Sequence, residues 1–256
     1  MNLQTEAYTI VCKHFEETGW RGRGKRHFVC LAICKEAAFY QIERGRSSEA
    51  FERLVKKNPK GFAAVTDRYA VYNMIGGKHQ YCLAHLIRDF EKYAEREGTD
   101  KEVGKGLVED LKMACHIHGE YRKEKITLEE RNTKLRACKM RVKTWLEDGM
   151  ANGSDPLYKL SEKLLDNFDK LWVFMRVEGM EPTNNLAERD LRKLVIWRRK
   201  SYGTRSDRGQ RFVERITTIA QTVKKQGKNI LSTIQEAVGK FYANSSPEDI
   251  YQALKV

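Results

Sequence analysis

The sequence has few prolines, few cysteines and no long apolar stretch. Only four residues of 256 are proline, so the chain is rarely interrupted. Six cysteines are too sparse for a disulfide framework, and a cytosolic location keeps such thiols reduced. No apolar run is long enough to cross a bilayer, and the polar start MNLQTEAYTI is unlike a secretory signal. A cytoplasmic protein without a membrane partner is the expectation.

Positive charge is what the chain has in excess. Lys and Arg outnumber Asp and Glu by 48 to 35, which gives a formal net charge of +13. A polyanion is the natural partner of such a surface, and a merely basic protein is the alternative. The 41% of hydrophobic residues supplies a real core, so the chain is not disordered. Its length suits one large domain or a domain with an insertion.

The first third of the chain alternates short apolar runs with turns. Lys35-Glu36 and the segment GWRGRGK read as turns, and a helix is predicted from Ser47 or Ser48 to about Lys57. The predicted strands share β-branched and apolar residues and cover 8–16, 27–34, AAFYQIE and 61–66.

Helical patterns dominate the rest. They run from about Leu83 to Met175, with one interruption at 152–156. Further helices are predicted after Asn184, near 207–225 and near 228–243. This order favours an α/β fold in which a mixed sheet carries a helical insertion. The predicted divisions are 1–90 for the first part of the core, 91–180 for the insertion and 181–256 for completion of the core.

The first chemical motif is VTDRYAVYN, in which Asp67 ends an apolar strand. A carboxylate at the end of a strand in an open sheet is a usual metal ligand. Alternatively, Asp67 caps a helix that follows it.

The second motif, QYCLAHLIRDF, contains Cys82 and His85 at the spacing of half a zinc site. A whole site needs two more ligands, for which Cys115, His116 and His118 are the only obvious donors, and nothing in the sequence places them nearby. Alternatively, the pair is buried at the start of a helix, and Arg88 faces the same way one turn after His85.

The third motif runs from PTNNLAERDLRK through IWRRKSYGTRSDRG. Asn184, Glu188 and Arg192 recur at helical spacing and share one face, which suits a metal and a phosphate. Alternatively, Asn185 and Glu188 form a capping box. Trp197 and Tyr202 are interleaved with cations, so they are candidates for base stacking. The cations predicted to bind DNA phosphates are Arg189, Arg192, Lys193, Arg198, Arg199, Lys200, Arg205 and Arg208.

Together these motifs resemble the transposases of the insertion-sequence-66 family. The matching pieces are EETGWRGRGKRH, TDRYAVY, QYCLAHLIRDF and NNLAERDLRKLVIWRRKSYGTRSDRG, in this order, over about residues 14–235. The resemblance implies a ribonuclease-H-like fold, an Asp-Asp-Glu site and DNA cleavage followed by strand transfer. It also implies a homo-oligomer on the DNA.

The catalytic residues implied by the resemblance are Glu16, Asp67 and Glu188. They would hold two Mg²⁺ or Mn²⁺ ions, one activating water or a 3′ hydroxyl and the other stabilising the leaving oxygen. Cys82, His85, Arg88, Asn184 and Asn185 would support the site.

The sequence departs from the family at its first catalytic position. Aligning Thr18-Gly19-Trp20 with the family pattern places Glu16 where the family has Asp, one methylene longer. Relatives also carry additional N-terminal segments, so a truncated core is expected here. Two alternatives therefore stay open: an impaired remnant that only binds DNA, and a ribonuclease-H-like nuclease without strand transfer.

Overall fold

The computed structural model of the protein describes residues 12–55, 62–76, 78–243 and 246–247. The first part of the predicted strand 8–16 and the end of the predicted helix near Lys57 lie outside these residues. The described part is a mixed α/β structure. No helix in it is long and apolar enough to cross a membrane.

Five strands form one sheet with the order β3-β2-β1-β4-β5. Strands β1 and β2 are antiparallel, as are β2 and β3. The strands are β1 (Cys12–Gly22), β2 (Lys25–Ile33), β3 (Ala38–Glu43), β4 (Ala63–Thr66) and β5 (His79–Tyr81).

Eight α-helices lie in the described part of the chain, with short 3₁₀ turns at Ala70–Met74, Phe168–Leu171 and Val173–Met175. The helices are α1 (Ser48–Leu54), α2 (Leu83–Ala94), α3 (Gly98–Arg122), α4 (Leu128–Asn152), α5 (Asp155–Asp166), α6 (Asn185–Ser201), α7 (Asp207–Lys225) and α8 (Ile230–Tyr242).

Two residues join β1 to β2. Arg23 and Gly24 both have positive φ, 50° and 72°. Positive φ at both central residues is the geometry of a type I′ turn, whose twist matches that of the flanking strands. The hairpin therefore stays paired up to Gly22 and Lys25. The prediction that all of GWRGRGK forms a turn was wrong, because only Arg23-Gly24 turns.

Helix α7 lies along β3, the outer strand on one side of the sheet. The Ala38 amide donates to the Thr222 hydroxyl at 3.2 Å, and the Tyr40 amide donates to the Thr218 hydroxyl at 3.1 Å. The Ile42 amide donates to a carboxylate of α7. Four residues of helix and two of strand both advance about 6–7 Å, so the pattern repeats in register.

The chain divides into two compact units. Unit 1 comprises residues 1–64, 69–77 and 185–256, and unit 2 comprises 65–68 and 78–184. In unit 1, Phe15 packs on one face of β1 with Phe51 of α1, at a ring separation of 5.3 Å. Trp20 lies in a second cluster with residues of α6 and α7. The core of unit 1 therefore covers both faces of β1.

Unit 2 is built mainly from α2 to α5, where consecutive helices pack together. The predicted helix over 158–175 is only partly present, since α5 ends at Asp166. Beyond it, the buried Gln80 side chain donates to the Leu171 carbonyl at 2.9 Å and accepts from the Phe174 amide at 3.0 Å. These bonds to β5 replace helical ones, so the segment forms 3₁₀ turns.

Two buried histidines make unit 2 sensitive to acid. Burial lowers the pKa of His79 to about 4, and that of His118 to about 4. Arg131 and Arg122 also disfavour protonated His118. Glu181 lies 3.6 Å from its Nε2, but that carboxylate is paired with Arg122. Both imidazoles are therefore neutral at pH 7.

We expect the thermal stability to fall as the pH is lowered from about 6.5 to 4. The folded pKa values lie below the ordinary 6.5, so the unfolded chain binds protons first and folding is favoured above that window. Across this pH window, each histidine contributes up to roughly 3 kcal/mol to the change in the free energy of unfolding. Melting curves of His118→Gln should lose part of this pH dependence. The exposed His116→Gln is the control, and an unchanged His118→Gln profile would contradict the assignment.

Candidate active site

Glu16 and Glu17 are neighbours on β1, so their side chains point to opposite faces of the sheet. The Glu17 carboxylate is 3.2 Å from the Arg46 guanidinium and accepts a hydrogen bond from the Tyr72 hydroxyl. Glu17 is thus held on the α1 side. Glu16 is half-buried and lies on the other face, with Trp20.

Helix α6 packs on the Trp20 face of the sheet. Ala187 and Leu191 share a buried cluster with Trp20. The Trp197 ring meets the Trp20 ring edge-on, with centroids 6.5 Å apart. Glu188 lies half-buried in the first turn of this helix. Glu16 and Glu188 therefore belong to the same face of the sheet in unit 1.

The direction of α6 follows from its contact with α7. The Asp190 carboxylate, near the start of α6, lies 3.1 Å from the Lys225 ammonium group. Lys225 is at the end of α7 that contacts Ala38. Through the sheet, Ala38 pairs with Ile33, and Ile33 pairs with His14. The first turn of α6 therefore lies at the His14 end of β1, and α6 runs in the same direction as β1.

With this direction of α6, Glu16 and Glu188 lie at similar positions along the axis of β1. Glu16 precedes Trp20 by four residues, about 13 Å along a strand. Glu188 precedes Trp197 by nine residues, about 14 Å along a helix. Because the two tryptophans are in contact, the first turn of α6 and the middle of β1 lie at one level of the sheet.

Asp67 belongs to unit 2 and follows β4 directly. Thr66 donates its hydroxyl proton to the Asp67 carbonyl, and its oxygen lies 2.8 Å from His79 Nε2. The Cys82 amide donates to the Thr66 carbonyl at 2.8 Å. The next turn has Tyr69 at its N-cap position, so Asp67 does not cap it. The half-buried Asp67 side chain stands at the end of a strand that is fixed by its neighbours.

Cys82 and His85 lie at the junction between β5 and α2. Cys82 Sγ lies within 4.8 Å of a ring nitrogen of His85. The backbone amide of the fully buried Asn184 donates to Cys82 Sγ at 3.1 Å. The Leu83 amide donates to the Pro182 carbonyl at 2.9 Å. Cys82 therefore helps to fix the segment that leads into α6.

The donors considered for a zinc site with this pair do not complete one. In the described part of the chain, Cys115, His116 and His118 belong to no group of three potential ligand atoms within 4.8 Å of one another. His116 is exposed beside Glu120, at 3.7 Å. Burial raises the pKa of the Cys115 thiol to about 12.

The remaining supporting residues lie near helix starts. Arg88 is exposed on α2, and its Nε donates to the Ala84 carbonyl at 3.2 Å. Asn185 is the first residue of α6 and is exposed.

A comparison with protein families decides the ancestry of the chain. The model described as "Transposase IS66 family" matches residues 2–211, well over half of the sequence. The chain belongs to the IS66 family of transposases. The resemblance drawn from the motifs is thereby confirmed. Searches of curated proteins and of solved structures returned no match.

The basic segment of this IS66-family chain, residues 189–208, is largely exposed to solvent. Arg198 is the exception among its predicted DNA-binding residues: it is half-buried and donates to the Gly19 carbonyl. Lys193 contacts Asp190 at 3.3 Å. The exposed members are Arg189, Arg192, Lys193, Arg199, Lys200, Arg205 and Arg208.

Sequence reasoning assigned no DNA contact to the tip of the β1–β2 hairpin, because the segment read as a turn. Its cations Arg21, Arg23, Lys25 and Arg26 are all exposed. The signal that could have found them is their density, since four of six consecutive residues are basic.

Proposed function

We propose that this IS66-family protein is a metal-dependent DNA transposase that cleaves transposon ends and transfers the strand. The observation that carries the proposal is the position of the carboxylates in the fold. Glu16 lies on β1, Asp67 follows β4, and Glu188 lies on the helix that comes after the helical segment α2 to α5. This is the order expected of a ribonuclease-H-like fold with an Asp-Asp-Glu site.

The chemistry of the donors fits the proposed metal. Glu16, Asp67 and Glu188 offer carboxylate oxygens, and Mg²⁺ and Mn²⁺ prefer oxygen ligands. Two ions bound there would supply activation of water or a 3′ hydroxyl and stabilisation of the leaving oxygen. The half-buried state of the three side chains leaves them accessible to a phosphodiester.

The rest of the chain contributes positioning and DNA binding. The Thr66 hydroxyl and His79 fix the backbone at Asp67, and the amide of Asn184 holds Cys82. Both sets of contacts lie beside catalytic positions in the chain. The exposed cations of α6 and of the loop after it neutralise DNA phosphates. The proposed partner is therefore DNA, bound as transposon ends and target, with the protein acting as a homo-oligomer.

Metal removal tests the proposal. We expect the protein to nick a supercoiled plasmid that carries the DNA flanking its coding sequence when Mg²⁺ or Mn²⁺ is present. Nicking should stop in EDTA and return when the metal is restored, because carboxylates alone do not activate the attacking oxygen. Gel separation of nicked and supercoiled DNA gives the readout. Equal nicking in EDTA would exclude the proposed chemistry.

A further inference from the structure

The tip of the β1–β2 hairpin and the loop between α6 and α7 are joined in unit 1. The Arg23 amide donates to the Thr204 carbonyl at 2.8 Å, and the Thr204 amide donates to the Arg21 carbonyl at 2.9 Å. The Trp20 indole donates to the Thr204 hydroxyl at 3.2 Å. Gly203 has a φ of 91°, and a side chain there would overlap the Arg21 carbonyl. Two basic segments far apart in sequence are thus one structural element.

The hairpin tip forms one wall of a groove of about 650 Å³. The end of β3 with Arg44, Arg53 of α1 and the start of α7 form the rest of it. All three of its carboxylates are engaged. Glu43 lies 2.7 Å from Arg53, Asp207 lies 2.8 Å from Arg23, and Glu214 accepts a hydrogen bond from the Ile42 amide. The cations that line the groove are Arg23, Lys25, Arg26, Arg44, Arg53 and Arg211, against Glu43, Asp207 and Glu214. The excess of positive charge fits a polyanion.

The Arg23–Asp207 pair does not close the groove. Both side chains are more than half exposed, at 59% and 58%. Exposed pairs of this kind contribute little to stability and exchange readily with other ions. A DNA phosphate can therefore take the place of Asp207 beside Arg23.

Tyr202, in the loop that is joined to the hairpin tip, has an unusual conformation. Its φ is 57°, a left-handed value that non-glycine residues seldom adopt, and 83% of the residue is exposed. Its amide donates to the Arg198 carbonyl at 2.8 Å, which fixes the backbone. Arg199, Lys200 and Arg205 surround it in sequence and are exposed. A large aromatic ring held in water among cations suits stacking on a base.

We propose that the hairpin tip and the loop with Tyr202 form one DNA-binding surface, in which the cations hold the phosphate backbone and Tyr202 stacks on an unpaired base. The inference rests on the proposed function, in which DNA is the substrate. It adds Arg23, Lys25 and Arg26 to the DNA-binding residues and assigns the base-stacking candidate Tyr202 to the same surface as the hairpin.

Fluorescence anisotropy in EDTA measures binding without cleavage. The probes are a blunt duplex and the same duplex with a short single-stranded extension. We expect the variant Lys25→Ala/Arg26→Ala to bind both probes more weakly. The plot of log K against log salt should become less steep by about 2, because the variant lacks two cations and each neutralised phosphate contributes roughly 0.9 to the steepness. The charge-matched control is Lys123→Ala/Lys125→Ala, at exposed sites in the turn between α3 and α4. An equal effect of both variants would overturn the phosphate-binding role.

Tyr202 is tested by a pair of substitutions. Tyr202→Asn removes the ring, and Asn tolerates the left-handed backbone better than most residues. We expect it to weaken binding of the extended probe by about 5- to 100-fold and of the blunt duplex much less. Tyr202→Phe keeps the ring and should bind like the wild type. Equal losses on both probes, or failure of Tyr202→Phe to retain binding, would overturn the stacking role.

These outcomes separate the inference from the proposed function. A protein that binds both probes through the hairpin but never nicks DNA would refute the catalytic proposal alone. A protein that nicks DNA, while hairpin and Tyr202 variants bind normally, would refute the inference alone. Absence of DNA binding by the wild type would refute both.

Discussion

Asp67→Ala and Glu188→Ala should each reduce metal-dependent nicking by more than about a hundredfold, which exceeds the usual effect of removing a residue in the outer shell of a metal site. Each substitution deletes a proposed oxygen ligand. Neither side chain is part of a buried hydrophobic cluster, so folding should survive. Rates of plasmid nicking in Mn²⁺, compared at equal protein concentration, give the measurement.

Asp169→Ala is the matched control for these variants. Asp169 is a carboxylate of unit 2 that is 75% exposed. It pairs loosely with Lys139, at 3.4 Å. Its removal should leave nicking unchanged. If Asp67→Ala and Asp169→Ala nick at the same rate, Asp67 is not a metal ligand, and the same comparison applies to Glu188.

Glu16→Asp should raise the nicking rate, by as much as about a hundredfold. The motif resemblance implies Asp at this position, and the extra methylene of Glu would displace the carboxylate by about 1 Å, a misplacement that can cost this much in rate. Glu16→Gln keeps the length and removes the charge, so it should lower nicking. Single-turnover nicking in Mn²⁺ measures both effects without interference from product release.

Glu17→Asp makes the same chemical change one residue later. Because the Glu17 carboxylate is engaged with Arg46 and Tyr72 on the α1 side of the sheet, shortening it should disturb packing and not accelerate nicking. Melting temperatures distinguish the two variants, with Glu17→Asp lowered and Glu16→Asp close to the wild type. A rate increase in both variants would show that Glu16 has no special role.

The fold was predictable where local pattern and tertiary structure agree. Alternation and turn residues predicted the hairpin between β2 and β3, and the break at Gly153 separates α4 from α5 as expected. Strand β5 has three residues, too few for a periodic signal. The 3₁₀ turns after Asp166 were not predictable either, because they depend on Gln80, a residue distant in sequence.

The sequence predicted where the proposed site residues lie in the secondary structure, but not their geometry. The motifs pointed to Asp67 and Glu188, and their placement after β4 and in the first turn of α6 was expected. The face on which Glu16 lies was not readable from the two adjacent glutamates. It follows from the partners of Glu17 and from the packing of Trp20 against Trp197.

The hydrogen bonds between α7 and β3 have a consequence for self-association. An outermost strand with unpaired amides is a template on which another chain adds a strand, which leads to aggregation or domain swapping. The amides of Ala38, Tyr40 and Ile42 are already used by side chains of α7. This border is therefore closed to strand addition, so any association between copies of the chain has to use other surfaces.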